Sequence, residues 1–416
     1  MSEESPEMNG ILAISKPQGI TSSKFLAELQ KVFTESPVFS QHLANIRGNK
    51  MQAIVQTSGK RASKRQMRKY VKVKMGHGGT LDPLATGVLV VGIGNGTKKL
   101  QNYLQGTIKK YEAEALFGAS TTSGDVEGEV LTKNQSSHIT QKQIDEIPEK
   151  FIGHLKQTPP IFAALKMDGK PLYEYARQGL PLPRAIEPRE VQIYDLEVMN
   201  DTLSTNHSYD FIKSTELNEG ENLEDVLSKN PTLNDNKLYF SKEYTEKLGK
   251  DNESFEIDPP LPNDGSDKVE GFKAPLLHFT ASVSSGTYIR SLISDIGKSV
   301  QSSAYMVKLI RLKQAEWELN KNVFKLEDFT ERPHQVWGKV LKIVLEKGGE
   351  EVQDLSKLFE KAEIEYNEEL KKENELKNQE DKVDENKDLN NQEKVEENFE
   401  NDDNSTKKRN IDDVEQ

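Results

Sequence analysis

Residues 76–87 read Gly76-His77-Gly78-Gly79-Thr80-Leu81-Asp82-Pro83-Leu84-Ala85-Thr86-Gly87. Four glycines, one histidine and one carboxylate fall within these twelve residues, between a basic run ending at Lys74 and the apolar run 88–91. Glycine lacks the Cβ barrier to positive φ and lets another molecule approach the backbone, so glycines clustered beside ionisable groups suggest a shaped site. Asp82 is the only acid in the stretch. Asp followed by Pro also suits the N-cap and first residue of a helix, so at this level Asp82 reads either as a cap or as a reactive carboxylate. A Walker loop would need Gly-Lys-Ser/Thr, and a dinucleotide fingerprint would need Gly-x-Gly-x-x-Gly between a strand and a helix. Neither pattern is met here or at Gly92-Ile93-Gly94-Asn95-Gly96.

Working outward, the 416 residues allow two or three domains, or one large domain with insertions and a tail. Hydrophobic residues make up 34% and charged residues 30%. That balance is too polar for one packed body throughout, and part of the chain is expected to be disordered. Cysteine is absent, which excludes disulfides and thiolate metal sites. No apolar run reaches about twenty residues, and residues 1–8 are acidic without an apolar core, so no membrane span, secretory signal or ordinary mitochondrial presequence is expected.

The net charge of −12 is unevenly distributed. Residues 361–416 hold 20 acidic and 10 basic residues, and 201–271 hold 17 and 7, leaving a net of +8 elsewhere. Residues 41–75 hold 10 Lys/Arg and no acid, which accounts for that excess. A basic patch directly before the glycine-rich stretch suits a polyanion-binding surface, and equally a solvated or targeting run.

In chain order, residues 9–15 read as a strand and 16–22 as a turn, with Thr21 or Ser22 capping a helix through Phe25, Leu29 and Phe33. Lys16 is either a phosphate contact or an exposed turn lysine. Residues 36–75 lose periodicity and suggest an inserted basic loop or helix carrying Arg61, Lys64, Arg65, Arg68, Lys69, Lys72 and Lys74. Residues 88–93 and 110–117 read as strands, 97–104 as a short helix, 139–152 as a helix, 172–179 as a short helix, and 189–198 as a strand. Tyr111 is either a core aromatic or a site residue. Residues 200–273 lack a sustained period and read as an acidic insertion. A strand over 277–283 leads through Ser284-Ser285-Gly286-Thr287-Tyr288-Ile289-Arg290 into a helix, with a second helix over 304–312. Arg290 is either a carboxylate- or phosphate-binding fork or a surface ion-pair partner. Helical patches follow at 336–345 and 352–359, then a tail, 361–416, that reads as disorder or a fraying charged helix.

Four separated stretches together resemble the TruB family of pseudouridine synthases. They are Ile14-Ser15-Lys16-Pro17-Gln18-Gly19-Ile20-Thr21-Ser22, the stretch 76–87, Pro159-Pro160 through Ala164-Leu165-Lys166 to Tyr173-Glu174-Tyr175-Ala176-Arg177, and Ser285-Gly286-Thr287-Tyr288-Ile289-Arg290, all in the family's order. The resemblance covers about 9–312, interrupted by the basic and acidic segments. It implies an α+β pseudouridine synthase fold, a mixed, largely antiparallel sheet with a central catalytic cleft, over 9–330. A helical extension over 331–360 would follow. The implied reaction is isomerisation of the T-loop uridine of tRNA to pseudouridine, with no cofactor and no metal.

The same resemblance makes Asp82 the nucleophile, Arg290 its ionising and orienting partner, and Tyr111, preceded by Lys109-Lys110, the residue stacking on the target base. His77 would hold the everted loop, and Tyr288 and Lys16 would meet RNA. The chemistry agrees, because moving the glycosidic bond from nitrogen to carbon needs a group that captures the separated sugar or base. The base must also leave its stack to reach a buried carboxylate.

The inserted segments resemble a eukaryotic, fungal-like branch of the family, and no PUA-type RNA-binding module is recognised after Leu312. A stand-alone, monomeric tRNA enzyme is therefore expected, with no membrane partner and with messenger RNAs carrying T-loop-like hairpins as further substrates. The expected locations are nucleus and mitochondrion, with the cytoplasm as an alternative. Two alternatives remain: a guide-RNA-dependent synthase acting on ribosomal RNA, and a non-catalytic tRNA-binding or folding protein.

Overall fold

The structure, a computed structural model, describes residues 8–68, 71–213, 233, 235–251 and 257–378. The expected disordered start and most of the tail, parts of the acidic stretch, and Lys69 lie outside the described residues. The sheet is built from β1 (Gly10–Lys16), β2 (Met75–His77), β3 (Thr86–Ile93), β4 (Lys109–Phe117), β5 (Gly153–Gln157), β6 (Arg189–Val198), β7 (Leu276–Val283), β8 (Ala304–Gln314) and β9 (Trp317–Glu318). Its order is β1-β3-β8-β4-β7-β6-β5, with β2 paired to β3 and β9 to β8. Every pairing is antiparallel except β3 with β8, so the mixed, largely antiparallel α+β expectation holds.

β8 overturns one reading. Residues 304–312 were expected to form a helix, but Ala304–Gln314 is a strand paired with both β4 and β3. A short apolar run fits both periods, and the open edges of β3 and β4 decide in favour of hydrogen bonding between strands. The helix start at Asp82-Pro83 is also not realised: no helix follows, and β3 begins at Thr86. Residues 139–152 form two short helices, Gln141–Asp145 and Ile147–Phe151, rather than one.

Helix α1 (Ser22–Glu35) is capped by the Thr21 hydroxyl, which accepts from the Lys24 N–H at 3.2 Å, and buries Phe25, Leu29 and Phe33. Phe33 stacks on Phe39 and Trp337 with centroids 5.0 and 5.8 Å away. The basic segment is helical: α2 (Ser40–Ser58) buries only His42 and Leu43, and a shorter helix over Lys64–Met67 is held by a Ser63–Gln66 capping box. Behind the sheet, α3 (Ile289–Ser299) packs Ile289, Leu292, Ile293 and Ile296 into the main core against Ala113, Ala281 and Met306. α4 (His334–Glu351) buries Trp337, Val340, Leu341 and Val344.

The acidic stretch is less detached than its composition suggests. Tyr209, Phe211, Ile212 and Phe272 pack around buried Tyr305, and Leu238 and Phe240 join the main core. Scattered apolar residues without a period can still each fill a socket. Residues 356–378 belong to a separate unit and are helical, the second of the two alternatives read for the tail's beginning. Lys361 Nζ lies 4.0 Å from Glu365, an i,i+4 pair that suits a charged helix. Among the described residues no helix is long and apolar enough to cross a membrane.

Candidate active site

The loop from Gly78 to Ala85 joins β2 to β3 and is held from two directions. From one side, the Ser22 hydroxyl donates to Leu81 O at 3.0 Å and accepts from Leu81 N–H at 2.8 Å. The Gly19 N–H donates to Pro83 O at 2.8 Å. Lys16, fully buried at the end of β1, sends its ammonium to Ile20 O at 2.7 Å, Pro17 O at 2.8 Å and Pro83 O at 3.3 Å. Burial pushes Lys16 down to about 8, with Asp82 pulling in the opposite direction. Lys16 is therefore neither a phosphate contact nor an exposed turn lysine, since its ammonium is spent on carbonyls that shape the loop.

From the other side, β8 supplies Arg311, whose Nε donates to Val88 O at 2.6 Å and Nη2 to Gly79 O at 3.2 Å. Gln314 donates to Gly78 O at 2.7 Å. Residues three apart on a strand would normally face opposite ways, and the register shift between Arg311 and Lys313 brings both side chains to the loop. Gly87 is required where β3 meets β8. Its φ is +97° and a Cβ there would lie 2.3 Å from Arg311 O.

Asp82 emerges at the tip of this loop. Its Oδ2 lies 2.9 Å from Nε of Arg290, which is buried at the start of α3. The other guanidinium nitrogens donate to Ser123 O at 2.7 Å and Phe162 O at 2.8 Å, and Asp125 stands 3.9 Å away. Every arm of the fork is engaged, so Arg290 holds one carboxylate oxygen in a set orientation. The Asp82 side chain nonetheless remains 33% exposed and available to a reactant.

Two cavities meet at Asp82. One, of about 310 Å³, is lined by Gly79, Lys109, Tyr111, Tyr288, Leu309 and Arg311 among others. The second, of about 490 Å³, is lined by Ser23, Ser123, Glu127, Tyr173, Arg177 and Arg290 among others. Partial burial, then the neighbouring Asp125 and Asp82, raises Glu127. Burial also raises the Tyr288 phenol, which stays protonated at neutral pH.

Asp82, Tyr111, Tyr288 and Arg290 thus converge as expected, although residues 82, 111 and 290 are far apart in the chain. His77 lines neither cavity. It sits on β2, partly buried, and burial followed by the nearby Arg311 lowers its pKa, keeping the ring neutral. Arg61, Lys64, Arg65 and Arg68 are all exposed and away from Asp82, the last three lining a surface groove with Met67 and Val71. Sequence reading missed Arg311 and Gln314, because their strand was taken for a helix. It also missed the Ser22 clamp, which only the folded loop reveals.

A carboxylate held by a buried guanidinium beside an aromatic-walled cavity can receive a planar base and act on the carbon or nitrogen next to it. The family model described as "TruB family pseudouridylate synthase (N terminal domain)" matches residues 64–214. The chain is 55% identical over 372 residues to tRNA pseudouridine synthase 4 of Saccharomyces cerevisiae, covering 88% of this chain and 91% of that protein. It is 35% identical to tRNA pseudouridine synthase 4 of Schizosaccharomyces pombe, covering 77% and 82%. A solved structure described as a Cbf5-Nop10-Gar1 complex aligns at a TM-score of 0.39 and 19% identity, over 85% of this chain and 59% of that one. The chain belongs to the TruB family of pseudouridine synthases.

Proposed function

We propose that this chain, without a guide RNA, converts the T-loop uridine at position 55 of tRNA to pseudouridine. The observation that carries this reading is the Asp82–Arg290 pair at 2.9 Å, opening onto a cavity shared by Tyr111 and Tyr288. The uridine leaves its stack and enters that cavity, where Tyr111 offers an aromatic face to the base. Asp82 acts as the nucleophile, C1′–N1 breaks, the base turns, and C1′–C5 forms. C5 gives up its proton and N1 gains one, so the net change is an isomerisation. A carboxylate at this point serves attack on either the sugar or the base.

Outside the cleft, the exposed cations Arg61, Lys64, Arg65 and Arg68 supply phosphate contacts to the body of the tRNA. RNA hairpins shaped like a T-loop, including those in messenger RNA, satisfy the same cleft. The nuclear reading rests on the basic run over 61–74, and the mitochondrial reading on the family resemblance, whose members often serve both tRNA pools.

The test is pseudouridine formation on an unmodified tRNA transcript by the purified protein and its Asp82→Asn variant. Activity in the first only, with RNA bound equally by both, is the expected result. Binding without turnover in either would instead indicate a guided enzyme or a binding protein.

A further inference from the structure

Strand alternation sends Lys109 and Tyr111 to the cleft face of β4 and Lys110 to the opposite face. The sheet register places Tyr111 in a row with Arg311 and Ala281, and Lys109 in the next row with Gln314 and Val283. Lys109 is only 8% exposed and Arg311 only 1%. The Lys109 ammonium donates to Ser285 Oγ at 3.1 Å, and that hydroxyl donates to Thr107 O at 3.1 Å.

Among the described residues neither Lys109 nor Arg311 forms an ion pair. Asp82, which lines the same cavity, is paired with Arg290. Burying an ammonium without a counter-charge is costly, and burial, with Arg311 acting in the same direction, pushes Lys109 down to about 8. Among the described residues, the cavity therefore holds two cations that no acid pairs with.

We propose that Lys109, backed by Arg311, is the seat of a phosphodiester group adjoining the target uridine. The RNA backbone then supplies the missing negative charge and sets the depth at which the base meets Tyr111. This rests on the reading of the cleft as a nucleotide site. It adds a binding residue to a position that the sequence marked only as the basic neighbour of Tyr111. Leu104, on the wall of the same cavity, is 44% exposed.

The experiment is a cycle combining Lys109→Met and Lys109→Arg with stem-loop RNAs that carry a neutral methylphosphonate at one or the other phosphate flanking the target uridine. Both Kd and turnover are read, and thermal unfolding confirms that each variant is folded. With all-phosphate RNA, Lys109→Met should bind roughly tenfold or more weakly, the scale of a charge-assisted hydrogen bond. Lys109→Arg should recover most of that loss. At one of the two positions the methylphosphonate should weaken the wild type by a similar factor and Lys109→Met hardly further. If the ratio of wild type to Lys109→Met is the same on all three RNAs, the ammonium does not meet a phosphate and the proposal falls. Because the cycle is read in Kd, it decides this contact even if wild type shows no turnover, a result that would overturn the proposed activity instead.

Discussion

Arg290 replaces three separate positioning devices with one side chain. Its Nε orients Asp82 while its two outer nitrogens bridge Ser123 O and Phe162 O, from segments far apart in the chain. Lysine offers a compact charge without the planar fork, so Arg290→Lys should keep the charge but lose the geometry. Turnover is expected to fall roughly 100-fold or more with little change in RNA affinity, a split that single-turnover kinetics and Kd would read. Ser22 acts on the same loop by serving as donor and acceptor to Leu81 at once. Ser22→Ala leaves a buried N–H and C=O without that partner and should cost about 2 kcal/mol or more in chemical unfolding, with turnover also reduced.

At the scale of elements, the crossing of β3 and β8 decides where Asp82 sits. Gly87→Ala would thrust a Cβ against Arg311 O at a backbone φ that side chains avoid. A loss of about 3 kcal/mol and a displaced catalytic loop are expected, measurable as a lower midpoint in denaturant together with reduced turnover.

Helix α3 carries a second buried pair, Asp295 and Lys298, whose charged atoms are 3.9 Å apart. Lys298 also donates to Leu233 O at 2.6 Å and Asn236 O at 2.7 Å, tying the middle of the acidic stretch to the core. Burial pushes Asp295 up to about 7, against which Lys298 pulls, so between its ordinary value and about 7 the folded state binds more protons than the unfolded. The contribution of this group to stability is complete below its unfolded pKa, near 4, and is lost as pH rises toward about 7. Asp295→Asn should flatten that part of the stability–pH curve, measured by denaturant titration at several pH values.

For the whole molecule, charge is segregated. The overall −12 conceals a basic segment over 41–75 with no acid, much of it in helices that stand largely exposed. Replacing Arg61, Lys64, Arg65 and Arg68 with alanine should weaken tRNA binding and reduce the slope of log K against log salt by up to about 3, if each cation meets one phosphate. An unchanged slope in Kd measured across salt concentrations would remove this surface from the RNA footprint. The cleft lies elsewhere on the same unit, so turnover at saturating RNA should be largely preserved.

Much of this architecture was legible in the chain. Alternation and turn chemistry marked the strands around 10–16, 109–117, 189–198 and 276–283, because half-buried strands print their environment with a period of two. Four motifs in order marked the family, and they, with Tyr111 after Lys109-Lys110 carried over beside them, brought Asp82, Tyr111, Tyr288 and Arg290 to one site. Residues 304–314 were not legible in this way: an apolar run with three interspersed cations fits a helix as well as a strand, and only the edges of β3 and β4 choose between them. With that strand went Arg311 and Gln314, whose place at the glycine loop depends on a register shift that no local pattern announces. Lys16 shows the same division. Its presence in a turn could be read directly, but its burial could not, because that depends on Pro83 O arriving from 67 residues away. The sequence by itself marked the residues that converge on the cleft, through motifs in the family's order, and most of the segments that become strands, since half-buried strands print a period of two. The tertiary structure alone decided which cations face the cleft and which are consumed in building it, because that choice depends on contacts between residues remote in the chain.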